Sequence, residues 1–345
     1  MNGMLVKSLS KSIKNLSRHI RCKPKYLPFL ALILVLLPVL SGCTSSEAGK
    51  KLQVRLGFFP NLTHAPALVG IEKGIFANQL KGMEFRAEPF QAGPAVMEAL
   101  AVGEIDLAYV GPVPAITGYL RGVGAKIVAG ANNGGAVLLA RPDSGITKPG
   151  DLTGKKVAIP QYGNTQDISL RKILADAGLK DKARGGTVEI IQAAPADMVI
   201  LFTLKQIDAA LVPEPWGVLL EQKVGARLVL DWDQVWRGGN YPTTVLLVSQ
   251  KFQEQHPELL RSFLKGHQEA IQFIQQEPEE SMRIVNRQIK KLTKKELDAK
   301  VLVKAFSRNR VTSIVDKAVL KEFADLAAEA GYIPKDANLD GLMIP

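Results

Sequence analysis

Between residues 52 and 248 short apolar runs alternate with stretches of helical periodicity, and beyond residue 257 only helical periodicity remains. The runs at 52–59, 85–90, 105–110 and 126–131 are bounded by Pro, Gly or polar residues, which predicts buried strands. Between them, 65–73 and 93–102 carry small-residue helical patterns, and a further helix runs to Leu120. Pro66 and Pro94 fit a first helical turn, where a missing N–H costs nothing, and Gly74 and Gly103 stop the helices. An apolar strand at 136–140 precedes a boundary rich in Pro, Gly and Ser at 141–150. Strands at 156–159, 188–191, 207–212 and 227–230, with helices at 166–177, 195–205 and 216–223, then repeat the plan. Strands alternating with helices across short loops indicate α/β units with largely parallel sheets. The β-branched run 243–248 is expected to cross back to the first unit. Helices at 257–276, 278–288, 294–306 and 316–330 are expected to cover that unit and the hinge.

The two units share sequence as well as plan. Gln91-Ala92-Gly93-Pro94-Ala95 is echoed by Gln192-Ala193-Ala194-Pro195-Ala196, and Ile105-Asp106-Leu107-Ala108-Tyr109-Val110 by Ile207-Asp208-Ala209-Ala210-Leu211-Val212, at offsets of 101 and 102. Val54 to Pro60 is echoed by Val157 to Gly163 at an offset of 103. Three echoes in order at nearly one offset point to two similar units.

Charge changes the picture only at the N-terminus. The net charge of +11 includes seven Lys/Arg among residues 1–25, where no acid occurs; without them the rest carries +4. No Lys/Arg stripe with interleaved aromatics appears elsewhere, so no nucleic-acid partner is expected. The basic segment leads into an uncharged run at 27–40, too short for a spanning helix and interrupted by Pro28 and Pro38, and then into Ser41-Gly42-Cys43. A basic start, a short apolar core and a small-residue exit describe a secretory signal at 1–42. Leu40-Ser41-Gly42-Cys43 resembles the bacterial lipobox, which implies lipidation of Cys43, a tether at 43–51, and a protein anchored on the outer face of the cytoplasmic membrane or at the cell surface. Cys22 would leave with the signal, so no disulfide is expected.

In open α/β sheets ligands sit beyond the carboxyl ends of the strands. The loops there are rich in Gly, Pro, Asn, Gln and Thr, which offer backbone approach, free N–H groups and helix N-termini suited to a small polar or anionic solute. The candidate ligand-binding residues are Asn61, Thr63, His64, Gln91, Gly93, Gly111, Pro112, Asn133, Gly134, Gln161, Asn164, Thr165, Gln166, Glu214, Trp216 and, on the return strand, Thr243. Catalytic patterns are missing from the sequence. Gly150 to Lys156 is one residue short of a phosphate loop and lacks its hydroxyl, and neither a dinucleotide fingerprint, a nucleophile elbow nor a His-rich metal spacing occurs. No enzyme activity, cofactor or metal is expected.

Thr153-Gly154-Lys155-Lys156-Val157-Ala158, Gly163-Asn164-Thr165, Gly103-Glu104-Ile105-Asp106 and Glu214-Pro215-Trp216 resemble motifs of the substrate-binding lipoproteins of nitrate, sulfonate and taurine ABC importers. Phe59 to Pro66, Gln91 to Pro94 and Tyr109 to Pro114 are most similar to the aliphatic-sulfonate branch. The resemblance covers nearly the whole chain after the tether. It implies a two-lobed periplasmic-binding-protein fold (type II), with two mainly parallel sheets flanked by helices and joined by two crossing strands. Those fall near 136–141 and 243–248, with the first lobe at 52–140 plus 245–345 and the second at 141–244. It further implies a monomer that closes about a hinge on its ligand and docks on a permease driven by a separate ATPase.

The ligand stays open at this point. Sulfonate recognition would use backbone N–H groups near Gly93, Gly111 and Thr165 with the side chains of Asn61, Thr63 and Gln91. The loops carry no Lys or Arg, while Asp167, Asp197 and Glu214 lie close by in sequence. Either these carboxylates cap helices and face away, or the ligand is zwitterionic or cationic, such as an aminosulfonate or a pyrimidine precursor, with Glu214 beside Trp216 as its partner. Nitrate is a further alternative, and Arg237 could supply a positive charge. A sensory module or a catalytic relative on the same fold is the reading from a different class.

Overall fold

The computed structural model describes residues 52–344. The expected signal segment, the lipidation site Cys43 and the tether lie outside the described residues. The strands are β1 (Gln53–Phe58), β2 (Glu84–Pro89), β3 (Leu107–Val110), β4 (Ala125–Gly134), β5 (Ala136–Ala140), β6 (Lys156–Ile159), β7 (Glu189–Gln192), β8 (Ala209–Pro213), β9 (Arg227–Leu230), β10 (Pro242–Ser249) and β11 (Asn309–Val311). They form two sheets, ordered β11-β4-β10-β3-β1-β2 and β7-β6-β8-β5-β9.

The repeat seen in the sequence is a repeat of structure. In the first sheet β1 lies between its parallel partners β2 and β3, and in the second β6 lies between its parallel partners β7 and β8. Corresponding aspartates tie the two kernels in the same way: Asp106 accepts from the Arg55 N–H at 2.9 Å, and Asp208 from the Lys156 N–H at 2.9 Å. The central strands β3, β5, β8 and β10 are buried along their whole length, so their faces make the core of each lobe.

Three expectations are corrected. The sheets are mixed rather than mainly parallel, because each crossing strand enters the other lobe antiparallel to its neighbours: β10 beside β3 and β4, and β5 beside β8 and β9. Residues 136–140, expected in the first lobe, therefore belong to the second sheet. The chain changes lobe at Gly134 and Gly135, both left-handed (φ 66 and 76), and a side chain at Gly135 would meet Asn309 Oδ1 at 2.1 Å. The C-terminal region is not all helix, since β11 pairs with the end of β4.

Helices flank both sheets. Pro257–Gln276 falls where periodicity predicted it, Pro278–Thr293 runs longer than expected, and Ala299–Ser307 starts later. The tail also reaches beyond the first lobe. Ala299–Ser307 packs on Trp216–Val224 of the second, and Lys317–Glu329 packs on both Pro112–Leu120 and Thr165–Asp176, one helix from each lobe. No helix among the described residues is long and apolar enough to cross a membrane.

Candidate functional site

Three helices begin around one point between the lobes. Gly93–Ala101 follows β2, Pro112–Leu120 follows β3, and Thr165–Asp176 follows β6 from the other lobe. Proline near the start of the first two leaves the first turn short of one donor and pre-sets its φ. Neither helix has a side-chain cap or an acid in its first turn, so their positive ends are not offset locally. On the third, Asn164 Oδ1 caps the Asp167 N–H at 2.8 Å, which leaves the N–H groups of Thr165 and Gln166 unused by the helix. A cavity of about 30 Å³ lies among these starts.

The lobes meet there closely. A Cβ on Gly111 would sit 2.2 Å from Thr165 Oγ1 across the cleft, so only glycine permits this approach. The Thr165 hydroxyl is buried and has no hydrogen-bond partner. Buried polar atoms are nearly always paired, and this one faces the point where the three helix ends converge.

Neutral donors complete the lining. Thr63 Oγ1 donates to Asn61 Oδ1 at 2.8 Å and accepts from Thr244 Oγ1 at 3.0 Å, which orients Asn61 and leaves its amide N–H₂ available. His64 is buried against the Phe59 ring, with centroids 4.3 Å apart. Its Nδ1 accepts from the Phe59 N–H at 3.2 Å, so the ring proton resides on Nε2. Burial holds this imidazole down to about 3, and at neutral pH it is an uncharged donor. Thr243 Oγ1 accepts from Asn132 Nδ2 at 3.1 Å at the back of the cavity, and Gln91 stands exposed at its edge.

Ten of the sixteen candidate residues line the cavity: Asn61, Thr63, His64, Gln91, Gly93, Gly111, Asn164, Thr165, Gln166 and Thr243. Six do not. Pro112 is buried at its helix start, Asn133 is paired within the sheet with Pro242 and Arg310, and Gly134 serves the crossing. Gln161 is half-buried and accepts the Asn164 N–H through its carbonyl. Trp216 packs in the core with Lys295 Nζ 5.5 Å from its ring centroid. The cavity also includes Phe59, Ala92, Pro114, Pro160, Pro195 and Pro213. A search for hydrogen-bonding residues passes over them, although each adjoins a strand end or loop already singled out.

Glu214 is the sixth, and its surroundings remove it as a ligand partner. Its Oε1 accepts from Arg308 Nη1 at 2.7 Å and its Oε2 from the Val218 N–H at 3.1 Å. Burial pushes this carboxyl up to about 7 against the pull of Arg308. Asp167 is likewise engaged, by Arg171 Nε at 2.9 Å, the Gly163 N–H at 2.8 Å and the Tyr332 hydroxyl at 2.5 Å. Asp197 is exposed and caps no helix. Arg237, the expected source of positive charge, is paired at the surface with Glu322 at 2.6 Å. The lined space therefore presents oriented dipoles and no free charge.

A larger depression, about 760 Å³, lies at the opposite end of the first sheet around the Arg55–Asp106 ion pair. It is at the amino ends of the parallel strands, the end at which α/β sheets do not gather ligands, and we place the site at the interlobe cavity.

Residues 47–289 match the NMT1-like family. The chain belongs to that family. This NMT1-like chain is 29% identical over 318 residues to a Bacillus subtilis (strain 168) protein named for binding aliphatic sulfonates, covering 90% of this chain and 92% of that one. It is 28% identical over 207 residues to the taurine-binding periplasmic protein of Escherichia coli (strain K12), covering 60% and 62%. The alkanesulfonate-binding protein SsuA from Xanthomonas axonopodis pv. citri, solved bound to MOPS, superposes with a TM-score of 0.73 at 20% identity, over 86% of this chain and 99% of that one. At that identity the superposition speaks for the two-lobed fold. The family match ends at residue 289, so Arg308 and Tyr332 lie outside it.

Proposed function

We propose that this NMT1-like chain is the solute-binding protein of an ABC importer and that its cargo is a small organic anion with a sulfonate-type head. The observation that carries the reading is the convergence of three helix N-termini from two lobes on one cavity, together with the buried, unpartnered Thr165 hydroxyl. Such an array satisfies several oxygen atoms of an anion with uncharged donors. Because the donors come from both lobes, ligand binds the closed form better than the open one, and that difference alone drives closure.

The reading continues beyond the cavity. The protein is carried outside the cytoplasmic membrane, held by a lipid on Cys43, and hands its cargo to a permease worked by a separate ATPase. It acts as a monomer and does no chemistry on its cargo. The similarity to proteins named for sulfonate and taurine binding supports the ligand class.

Calorimetric titration of the mature protein, with Cys43 replaced, tests the ligand. Methanesulfonate, longer alkanesulfonates, taurine, nitrate and a cationic pyrimidine are compared. Saturable binding of a sulfonate without turnover is expected. Binding of the pyrimidine alone, or appearance of a product on incubation with a sulfonate, would overturn the reading.

A further inference from the structure

A second cavity, about 260 Å³, adjoins the first. Three chain segments lead from one to the other within a few residues: Gly93 to Pro94, Pro114 to Thr117, and Asn164 to Gly163. The Thr117 hydroxyl donates to the Pro114 carbonyl at 3.2 Å, which holds that segment in place. The walls come from three parts of the protein. Pro94, Met97 and Val123 belong to the first lobe, Tyr162 to the second, and Tyr332 to the C-terminal segment.

The chemistry of this second space differs from that of the first. Both phenol groups are already engaged, Tyr162 with the Ile190 carbonyl at 2.6 Å and Tyr332 with Asp167 at 2.5 Å. What they offer the cavity is ring surface. Met97 adds a polarisable thioether that lies over Gly118, where a Cβ would come within 2.4 Å of its terminal methyl. Glu98 and Arg121 stand exposed at the mouth. The first cavity, at about 30 Å³, has room for a compact polar head and for no chain attached to it.

We infer that the second cavity is a tail subsite, and that the cargo is an anion bearing an apolar alkyl or aryl tail rather than a bare or two-carbon anion. This rests on the reading of the first cavity as the anion-head site. Tyr332 closes the subsite from outside the segment matched to the family, so tail selection is a property of this chain's own C-terminal segment.

Titrating a homologous series from methane- to hexanesulfonate, with benzenesulfonate, into the wild type, Tyr162→Ala and Tyr162→Phe tests it. Tyr162 is 45% exposed, so the alanine variant is expected to fold. In the wild type affinity should rise about threefold for each methylene that enters the cavity. Tyr162→Ala should lose about tenfold for hexanesulfonate and less than twofold for methanesulfonate, and Tyr162→Phe, which keeps the ring, should lose neither. A flat or falling series in which methanesulfonate still binds would overturn the tail subsite and leave the anion-head reading standing. Equal losses for both ligands in Tyr162→Ala would also overturn it, since the ring would then act on closure. Failure of every sulfonate to bind would remove both readings together.

Discussion

Arg308 Nη1 lies 2.7 Å from Glu214 Oε1, and both side chains are buried. Glu214 follows β8 in the second sheet, whereas Arg308 immediately precedes β11 in the first, so the pair spans the lobes. The same guanidinium holds Glu221 at 3.0 Å and Asp231 at 2.9 Å, both from the second lobe. A backbone bond from the Leu62 N–H to the Glu214 carbonyl, 2.8 Å, crosses at the same place.

Removing one partner of a buried pair leaves an uncompensated charge, which costs about 3–5 kcal/mol. Arg308→Met should be destabilised by roughly that amount in urea denaturation at pH 7. Combining it with Glu214→Gln should cost less than the sum of the two single changes, with a coupling of about 1–3 kcal/mol. Strict additivity would mean that the pair does not act as a unit.

With its carboxylate committed to Arg308, Glu214 has no role in holding ligand. Sulfonate affinity of Glu214→Gln should stay within about twofold of the wild type, a change of less than about 0.5 kcal/mol. A tenfold loss measured by calorimetry at a temperature where the variant is folded would return Glu214 to the site.

The Thr165 hydroxyl has no partner in the closed structure, so Thr165→Val should leave the melting temperature unchanged or slightly raised. A hydrogen bond to a charged group contributes about 1.5–3 kcal/mol, so the same variant should bind sulfonate roughly ten- to a hundredfold more weakly. Gly111→Ala acts on closure instead: its methyl group would lie 2.2 Å from Thr165 Oγ1. It should weaken binding and give a larger radius in X-ray scattering with ligand present. An unchanged radius and affinity would show that the lobes do not close on this contact.

Two buried histidines set the acid limit. His267 accepts from Tyr109 through Nδ1 at 2.7 Å and donates through Nε2 to the Gly130 carbonyl at 2.8 Å; burial holds it down to about 4, as it holds His64 to about 3. Both values lie below the ordinary 6.5, so the unfolded chain takes up these protons first. Their contribution is complete above about pH 6.5 and is lost as pH falls toward 4 and 3, about 2 kcal/mol for each by pH 5. Glu214, raised to about 7, acts in the opposite sense, its contribution being complete below about 4.5 and lost as pH rises through 7. The comparison is therefore made against His267→Gln. Between pH 7 and pH 5 the wild type should lose about 2 kcal/mol more than the variant, and parallel curves would exclude a neutral buried His267.

Much of the architecture is local and so was written in the sequence. Two α/β units follow from short apolar runs, prolines at helix starts and glycines at helix ends, because each depends on neighbours a few residues away. The loops that form the site were legible for the same reason: Asn61, Gly93, Gly111 and Thr165 sit where strands end and helices begin, and the repeat at offsets of 101–103 aligns the two halves.

What the tertiary structure alone decided involves partners far apart in the chain. Periodicity marks 136–140 as a strand but carries no information on which sheet has an open edge for it, so β5 was expected one lobe away from where it pairs. Asn309–Val311 is too short and polar to read as a strand until β4 offers it an edge. Glu214 beside Trp216 looked like a cation site because its true counter-charge, Arg308, is 94 residues away. Tyr332 carries no local signal at all, and enters the cleft because Lys317–Glu329 packs across both lobes and sets the following residue against Asp167. Charge pairing and strand exchange are settled by which surfaces meet when the core is buried, and only the folded chain brings those surfaces together.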